Sequence, residues 1–206
     1  INAGLILQSE PLVYECNSGV AHTLYNGNQS LETNHFPSYN KFVRGQKKKM
    51  DNNPGMAPED IESLICSVSP FYGQVICIGM KWFDDNKNLI RDIVICEKKE
   101  EETLTNFFNI INEKCQGVKF VHYNGLGFDV PFLMLRATFY NIIISNKNFL
   151  NLRRFTFQYH IDLMMFLCSW DKYNAPKLSL ACEFYGIDSP KGGEVEGSNV
   201  AEAFEK

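Results

Sequence analysis

Asn124, Phe128 and Asp129 stand together in the stretch His122-Tyr-Asn-Gly-Leu-Gly-Phe-Asp-Val-Pro131, and their types admit a short list of chemistries. A carboxylate such as Asp129 is a hard oxygen donor for a divalent cation, or a cap for the helix that follows it. The Asn124 amide can hydrogen-bond a bound molecule or simply hold a turn. Phe128 offers a flat ring for stacking, or an ordinary piece of core. Gly125 and Gly127 permit a tight turn, but the G-x-G-x-x-G phosphate-binding pattern fails at Val130, so a dinucleotide reading is weak.

The elements around this stretch must aim it. The apolar run Val118–Val121 reads as a strand entering it, and Phe132–Tyr140 as a helix leaving it, so Asn124 and Asp129 belong to a strand-to-helix turn. Upstream, Gln74–Trp82 and Leu89–Cys96 are β-branched and apolar, separated by Asp84-Asp-Asn-Lys, a hairpin signal. From Glu100 to Cys115, Leu104, Phe107, Phe108, Ile110 and Ile111 recur at helical spacing. Gly4–Leu7 and Pro11–Tyr14 could each contribute to a short strand, and Met56 begins a helix-like segment. Downstream, Tyr159-His-Ile-Asp162 opens an apolar stretch to Cys168, Leu178–Tyr185 is a helix stopped by Gly186, and Ser198 caps a last helix over 199–205. Residues 142–154 show no clear period, and the Asn-rich segment of about 25–58 reads as a long polar insertion. A hairpin, a helix, a further strand and more helices predict one α/β domain over 1–206.

The balance of residues narrows the partners. With 206 residues, 45% apolar and 21% charged, the chain can build a substantial core without a second domain. Its formal net charge of −4 gives no global basic field, so any phosphate binding must rest on a local patch or on bridging metal ions. Lys47–Lys49 and Arg153-Arg154 are the candidate patches, or ordinary surface charge. Seven cysteines, without a C-x-x-C pair, read as reduced thiols of a cytoplasmic or other reducing compartment. No apolar run is long enough for a membrane span.

Asn124-x-x-x-Phe128-Asp129 after a strand resembles the second motif of the predicted 3′→5′ exonucleases related to the proofreading domain of family-B DNA polymerases. The resemblance extends, in order and spacing, over about residues 70–206. It takes in Pro70–Gly79, Tyr159-His-Ile-Asp-Leu-Met-Met165, Asn174–Leu180, Tyr185–Lys191 and Glu196–Glu202. It implies a ribonuclease H-like mixed sheet flanked by helices. It also implies hydrolysis of single-stranded ends, DNA in first place, with Mg²⁺ or Mn²⁺ held by carboxylates. Two ions about 3.5–4 Å apart activate water and neutralise the scissile phosphate in such chemistry. Asp129 is then a metal ligand. Phe128 would lie by the terminal bases, and Asn124, Tyr123, Lys191 and Ser198 would contact the strand. Asp162 would support the site, or serve only as a structural carboxylate opening a helix.

The resemblance also calls for Asp-x-Glu on the first strand, and no such tripeptide lies within residues 1–60. Aligning Leu7-Gln8-Ser9-Glu10-Pro11 puts Gln8 in place of Asp and keeps Glu10 as catalytic ligand. Aligning Tyr14-Glu15-Cys16-Asn17 instead puts Glu15 in place of Asp and Asn17 in place of Glu. The family's third motif, Tyr-x-x-x-Asp, is expected downstream of Lys206. Three readings therefore compete: a metal-dependent exonuclease, an inactive relative that binds single-stranded ends, and a scaffold that binds no nucleic acid.

Overall fold

The computed structural model describes residues 4–6, 20–21, 50–52, 54–55, 68–71 and 73–188. Five strands form one mixed sheet: β1 (Gly4–Ile6), β4 (Ile78–Phe83), β5 (Leu89–Ile95), β6 (Lys119–His122) and β7 (His160–Asp162). Their spatial order is β5-β4-β1-β6-β7. β4 runs antiparallel to both β5 and β1, whereas β1–β6 and β6–β7 are parallel. Two short strands, β2 (Val20–Ala21) and β3 (Gln74–Val75), pair in a separate small sheet. The expected strand over 74–82 is therefore split: Gln74 and Val75 pair with β2, and the hairpin begins at Ile78.

The hairpin turn follows from its residues. The Asp84 carboxylate accepts from the Asn88 amide at 2.8 Å and from the Asn88 side chain at 2.9 Å, while Lys87 takes φ 66°. Arg91 and Asp92 lie within β5 at the sheet edge, where charge discourages pairing with another chain.

Helix α1 (Glu100–Lys114) carries three acids in its first turn and a lysine in its last, as the helix dipole favours. Its Leu104, Phe107, Phe108 and Ile111 are buried against Ile78, Met80 and Phe120 of the sheet and Val130, Leu133 and Ala137 of α2 (Asp129–Phe139). Helix α2 thus starts three residues earlier than its apolar pattern suggests, taking Pro131 into its first turn, where its missing N–H costs nothing. Two shorter helices follow, α3 (Leu163–Leu167) and α4 (Leu178–Tyr185), the latter closed by Gly186 at φ 64°. Among the described residues, no helix is long and apolar enough to cross a membrane.

The segment 142–154 is organised by two asparagines rather than by a period. Asn112 on α1 donates to Ile143 O at 2.8 Å and accepts from Ser145 N at 2.8 Å. Fully buried Asn146 donates to Ile111 O and Cys115 O, satisfying carbonyls at the end of α1, and accepts from Asn148 N and Phe149 N. That arrangement seats Phe149 edge-on against Phe107, Phe108 and Phe120.

A second polar tie lies at the other end of α1. Glu100, buried, receives two hydrogen bonds from Arg136 of α2, one from Tyr140 and one from the amide of Val75. Arg136 also donates to Pro70 O. Burial alone would lower the Arg136 pKa, but the bond to Glu100 outweighs it and holds the guanidinium above its ordinary value.

Candidate functional site

The parallel pairing of β6 with β7 sets His122 opposite Asp162 and Phe120 opposite His160. Immediately past that row the chain leaves β6 and turns through Asn124–Phe128 into α2. Asp162 is the clamp. Its Oδ1 accepts from the amides of Asn124 (2.9 Å), Met164 (3.1 Å) and Met165 (3.3 Å), and its Oδ2 from Leu126 (3.1 Å). One fully buried carboxylate therefore caps α3 and fixes the turn after β6. Burial pushes its pKa up, but the His122 ring and the amides of Asn124 and Leu126 prevail and keep it below the ordinary carboxylate range.

The buried histidines are ordered by the same logic. His160 Nε2 sits 3.0 Å from Phe149 O, which can only accept, so that nitrogen carries the proton. Neutral His160 then accepts at Nδ1, and His122 Nε2, 3.2 Å away, must donate. This leaves His122 Nδ1 as the acceptor for the Gly125 amide at 3.1 Å. Burial, and then the neighbouring His122, depress the His160 pKa to about 4, in keeping with a neutral ring. Asp162 Oδ2 also stands 3.5 Å from His122 Nδ1.

Asn124 adopts the left-handed conformation (φ 64°), and its carbonyl accepts from the amides of Gly127 and Phe128. A Cβ on Gly125 would lie 2.5 Å from the His122 ring, and one on Gly127 2.5 Å from Asn124 Oδ1. The latter would also stand 3.3 Å from Lys172 Nζ, which places that ammonium beside the turn. Tyr123 donates to Pro176 O at 2.7 Å, tying the turn to the segment ahead of α4. Phe128 is half-buried, packed on the core with its ring 5.7 Å from Phe132. Asp129, first residue of α2, is 8% exposed. Its burial, with a smaller push from the charge on Asp162, raises its pKa to about 7, against one lowering backbone bond.

Asn124, Tyr123, Phe128, Asp129 and Asp162 are thus assembled at one end of the sheet. Gln8, Glu10, Glu15, Lys191 and Ser198 lie outside the described residues, as do Lys47–Lys49. β1 ends beside Val121, so it leads in sequence toward Gln8 and Glu10 from the neighbouring strand. Among the described residues no group of three Asp, Glu, His or Cys could hold a metal ion. The sequence carries one Asp-x-Glu elsewhere, Asp60-Ile61-Glu62, also outside the described residues. Lys172 and the His122–His160 pair escape a linear reading. His160-x-Asp162 on one strand face was the available signal, since it requires a polar partner on the adjoining strand.

Residues 70–206 match the family of predicted 3′→5′ exonucleases related to the exonuclease domain of PolB. The chain belongs to this family. The match begins just ahead of β3 and takes in the whole of the turn after β6, so the Asn124–Asp129 geometry is that of an exonuclease-related domain. No curated protein and no solved structure matches the chain.

Proposed function

We propose that this exonuclease-related domain hydrolyses single-stranded nucleic acid from its 3′ end, DNA in first place, with Asp129 as a metal ligand. The observation that carries this reading is the placement of Asp129. Its carboxyl is desolvated at the start of α2, and the turn before it is fixed by five amide hydrogen bonds, three to Asp162 and His122 and two to the Asn124 carbonyl within the turn. A carboxyl whose burial raises its pKa to about 7 gains from a nearby cation, which would favour its charged form. The sheet order, with one antiparallel hairpin beside three parallel strands, supports a ribonuclease H-like arrangement.

The residues fit a divalent ion in part. Asp129 supplies one hard oxygen donor, whereas the oxygens of Asp162 are committed to backbone amides, so Asp162 acts as a positioning residue. Further ligands would come from the segment after β1, where Glu10 is the first candidate, with Gln8 and Glu15 behind it. Mg²⁺ or Mn²⁺ at such a set would lower the pKa of a bound water and offset charge on the scissile phosphate. Asn124, half-exposed in the turn, would hydrogen-bond the terminal nucleotide, and the half-buried ring of Phe128 would border its base. Lys191 and Ser198 remain proposed strand contacts.

A second reading, an inactive domain that binds strand ends, follows from the alignment that puts Gln8 where the family's first motif calls for Asp. The deciding experiment incubates the chain with a 5′-labelled single strand and Mn²⁺ or Mg²⁺. A ladder of shortened products, abolished by chelator and by Asp129→Asn, supports the enzyme. An intact strand at every metal concentration rejects it.

A further inference from the structure

Four aromatic side chains gather at the β7 edge of the sheet, away from the core. Phe155 and Phe157, from the segment entering β7, meet Trp170 at ring-centroid distances of 5.2 and 5.4 Å, the second pair stacked. Phe166 of α3 joins Phe157 edge-on at 5.8 Å. Phe155 is 76% and Phe166 60% exposed, while Phe157 and Trp170 are half-buried. The backbone beneath them is held in a costly conformation, with φ 60° at Phe155, 49° at Ser169 and 68° at Trp170. Bulky residues rarely adopt positive φ, and such strain persists only where surrounding bonds enforce it, here Trp170 N to Met165 O at 2.9 Å and Ser169 N to Phe166 O at 3.2 Å. The usual compensation, burial of the ring, is absent at Phe155.

Charge selects the occupant. Arg153 and Arg154 precede Phe155, are exposed, and have no ion-pair partner among the described residues. The nearby Asp171 carboxylate is engaged with the Tyr173 amide and the Asn174 side chain. Rings preceded in the chain by two exposed arginines suit a ligand that presents flat bases and phosphates at once. A duplex hides its base faces, and an apolar peptide gives the arginines nothing to pair. The patch is also joined to the candidate site. Trp170 lies two residues ahead of Lys172, whose ammonium stands beside Gly127, and Phe166 belongs to the helix that Asp162 caps.

We infer that Phe155, Phe157 and Trp170 form a base-stacking platform for single-stranded nucleic acid, with Arg153 and Arg154 on its phosphates. The strand then continues past Lys172 to the Asn124–Asp129 turn. Only that direction rests on the exonuclease reading; the platform itself does not.

The test is fluorescence anisotropy of labelled oligodeoxythymidylate titrated with the 206-residue chain in chelator, with oligouridylate in parallel. Loss of one stacked base in Phe155→Ala weakens binding by roughly tenfold. Arg153→Ser with Arg154→Ser removes two phosphate contacts and lowers the slope of log affinity against log salt by about 1.4. Lys98→Ser, beside β5 at the opposite edge of the sheet, leaves affinity within about twofold of the parent, since it lies off the track. Binding by the Phe155 and arginine variants equal to the parent, or no binding by the parent, overturns the platform. Strand cleavage in Mn²⁺ is scored separately. Cleavage with unaffected variants sinks the platform alone, and weakened variants without cleavage sink the exonuclease reading alone.

Discussion

A methyl group on Gly125 would enter the space of the His122 ring at 2.5 Å, and that ring is only 2% exposed. The ring cannot swing aside without breaking its bonds to His160 and to the Gly125 amide. Gly125→Ala is therefore expected to cost about 1–3 kcal/mol, the range for overpacking a tight interior. At roughly 2–4 °C per kcal/mol for a chain of this size, a thermal melt resolves the loss. Gly127→Ala meets instead the tip of the Asn124 side chain, which can rotate away, so its melt should lie closer to the parent.

Two buried groups give opposing pH dependences. Asp129 has a folded pKa of about 7 against 3.8 unfolded, so its contribution is fully present below pH 3.8 and is lost as pH rises through 7. His160 has a folded pKa of about 4 against 6.5, so the unfolded chain takes up its proton first, and stability is lost as pH falls from 6.5 through 4. Between those limits each group contributes a slope of about 1.4 kcal/mol per pH unit, with opposite sign, and the two nearly cancel. Asp129→Asn should unmask the histidine. Its denaturation midpoint should fall steadily from pH 6.5 toward 4, where the parent's is nearly level. A variant profile parallel to the parent's would show that Asp129 titrates normally.

At the scale of elements, Glu100 and Arg136 join the start of α1 to the end of α2, and their bonds to Val75 and Pro70 bring in the chain entering the sheet. Glu100→Gln leaves a buried guanidinium without its counter-charge. A loss of about 3–5 kcal/mol is expected in urea unfolding, and Glu100→Gln with Arg136→Met should recover much of it. A small effect of the single change would mean that the pair is open to water. This tie was invisible in the sequence, because residues 100 and 136 carry no pattern relating them. What could be read was periodic: Leu104, Phe107, Phe108 and Ile111 became the buried face of α1, and Gly186 ended α4. The 142–154 segment could not be read because Asn112 and Asn146 satisfy its backbone through side chains, which leaves no period. The break after Val75 was hidden for a related reason: both sheets draw on one apolar run.

For the whole molecule, the family was legible because its motifs keep their order from residue 70 onward. The strand-to-helix turn at Asn124–Asp129 was legible too, from an apolar run followed by Asn, two glycines and Asp. The role of Asp162 as a clamp was not, since it depends on the parallel register that sets it opposite His122. Nor was the platform at Phe155 and Trp170, whose rings come together only when the β7 segment and α3 fold against each other.

The position of β1 between β4 and β6 bears on how the chain is made. Among the described residues it alone joins the β4–β5 hairpin to the β6–β7 pair. Gly4–Ile6 are synthesised before the other strands of this sheet, yet their parallel partner begins at Lys119, 113 residues beyond Ile6 (119 less 6). At about 5–20 residues per second a ribosome needs roughly 6–23 s to span that interval. Throughout it the edge of β1 that faces β6 lacks its partner strand, and only the release of β6 from the exit tunnel lets the two halves close.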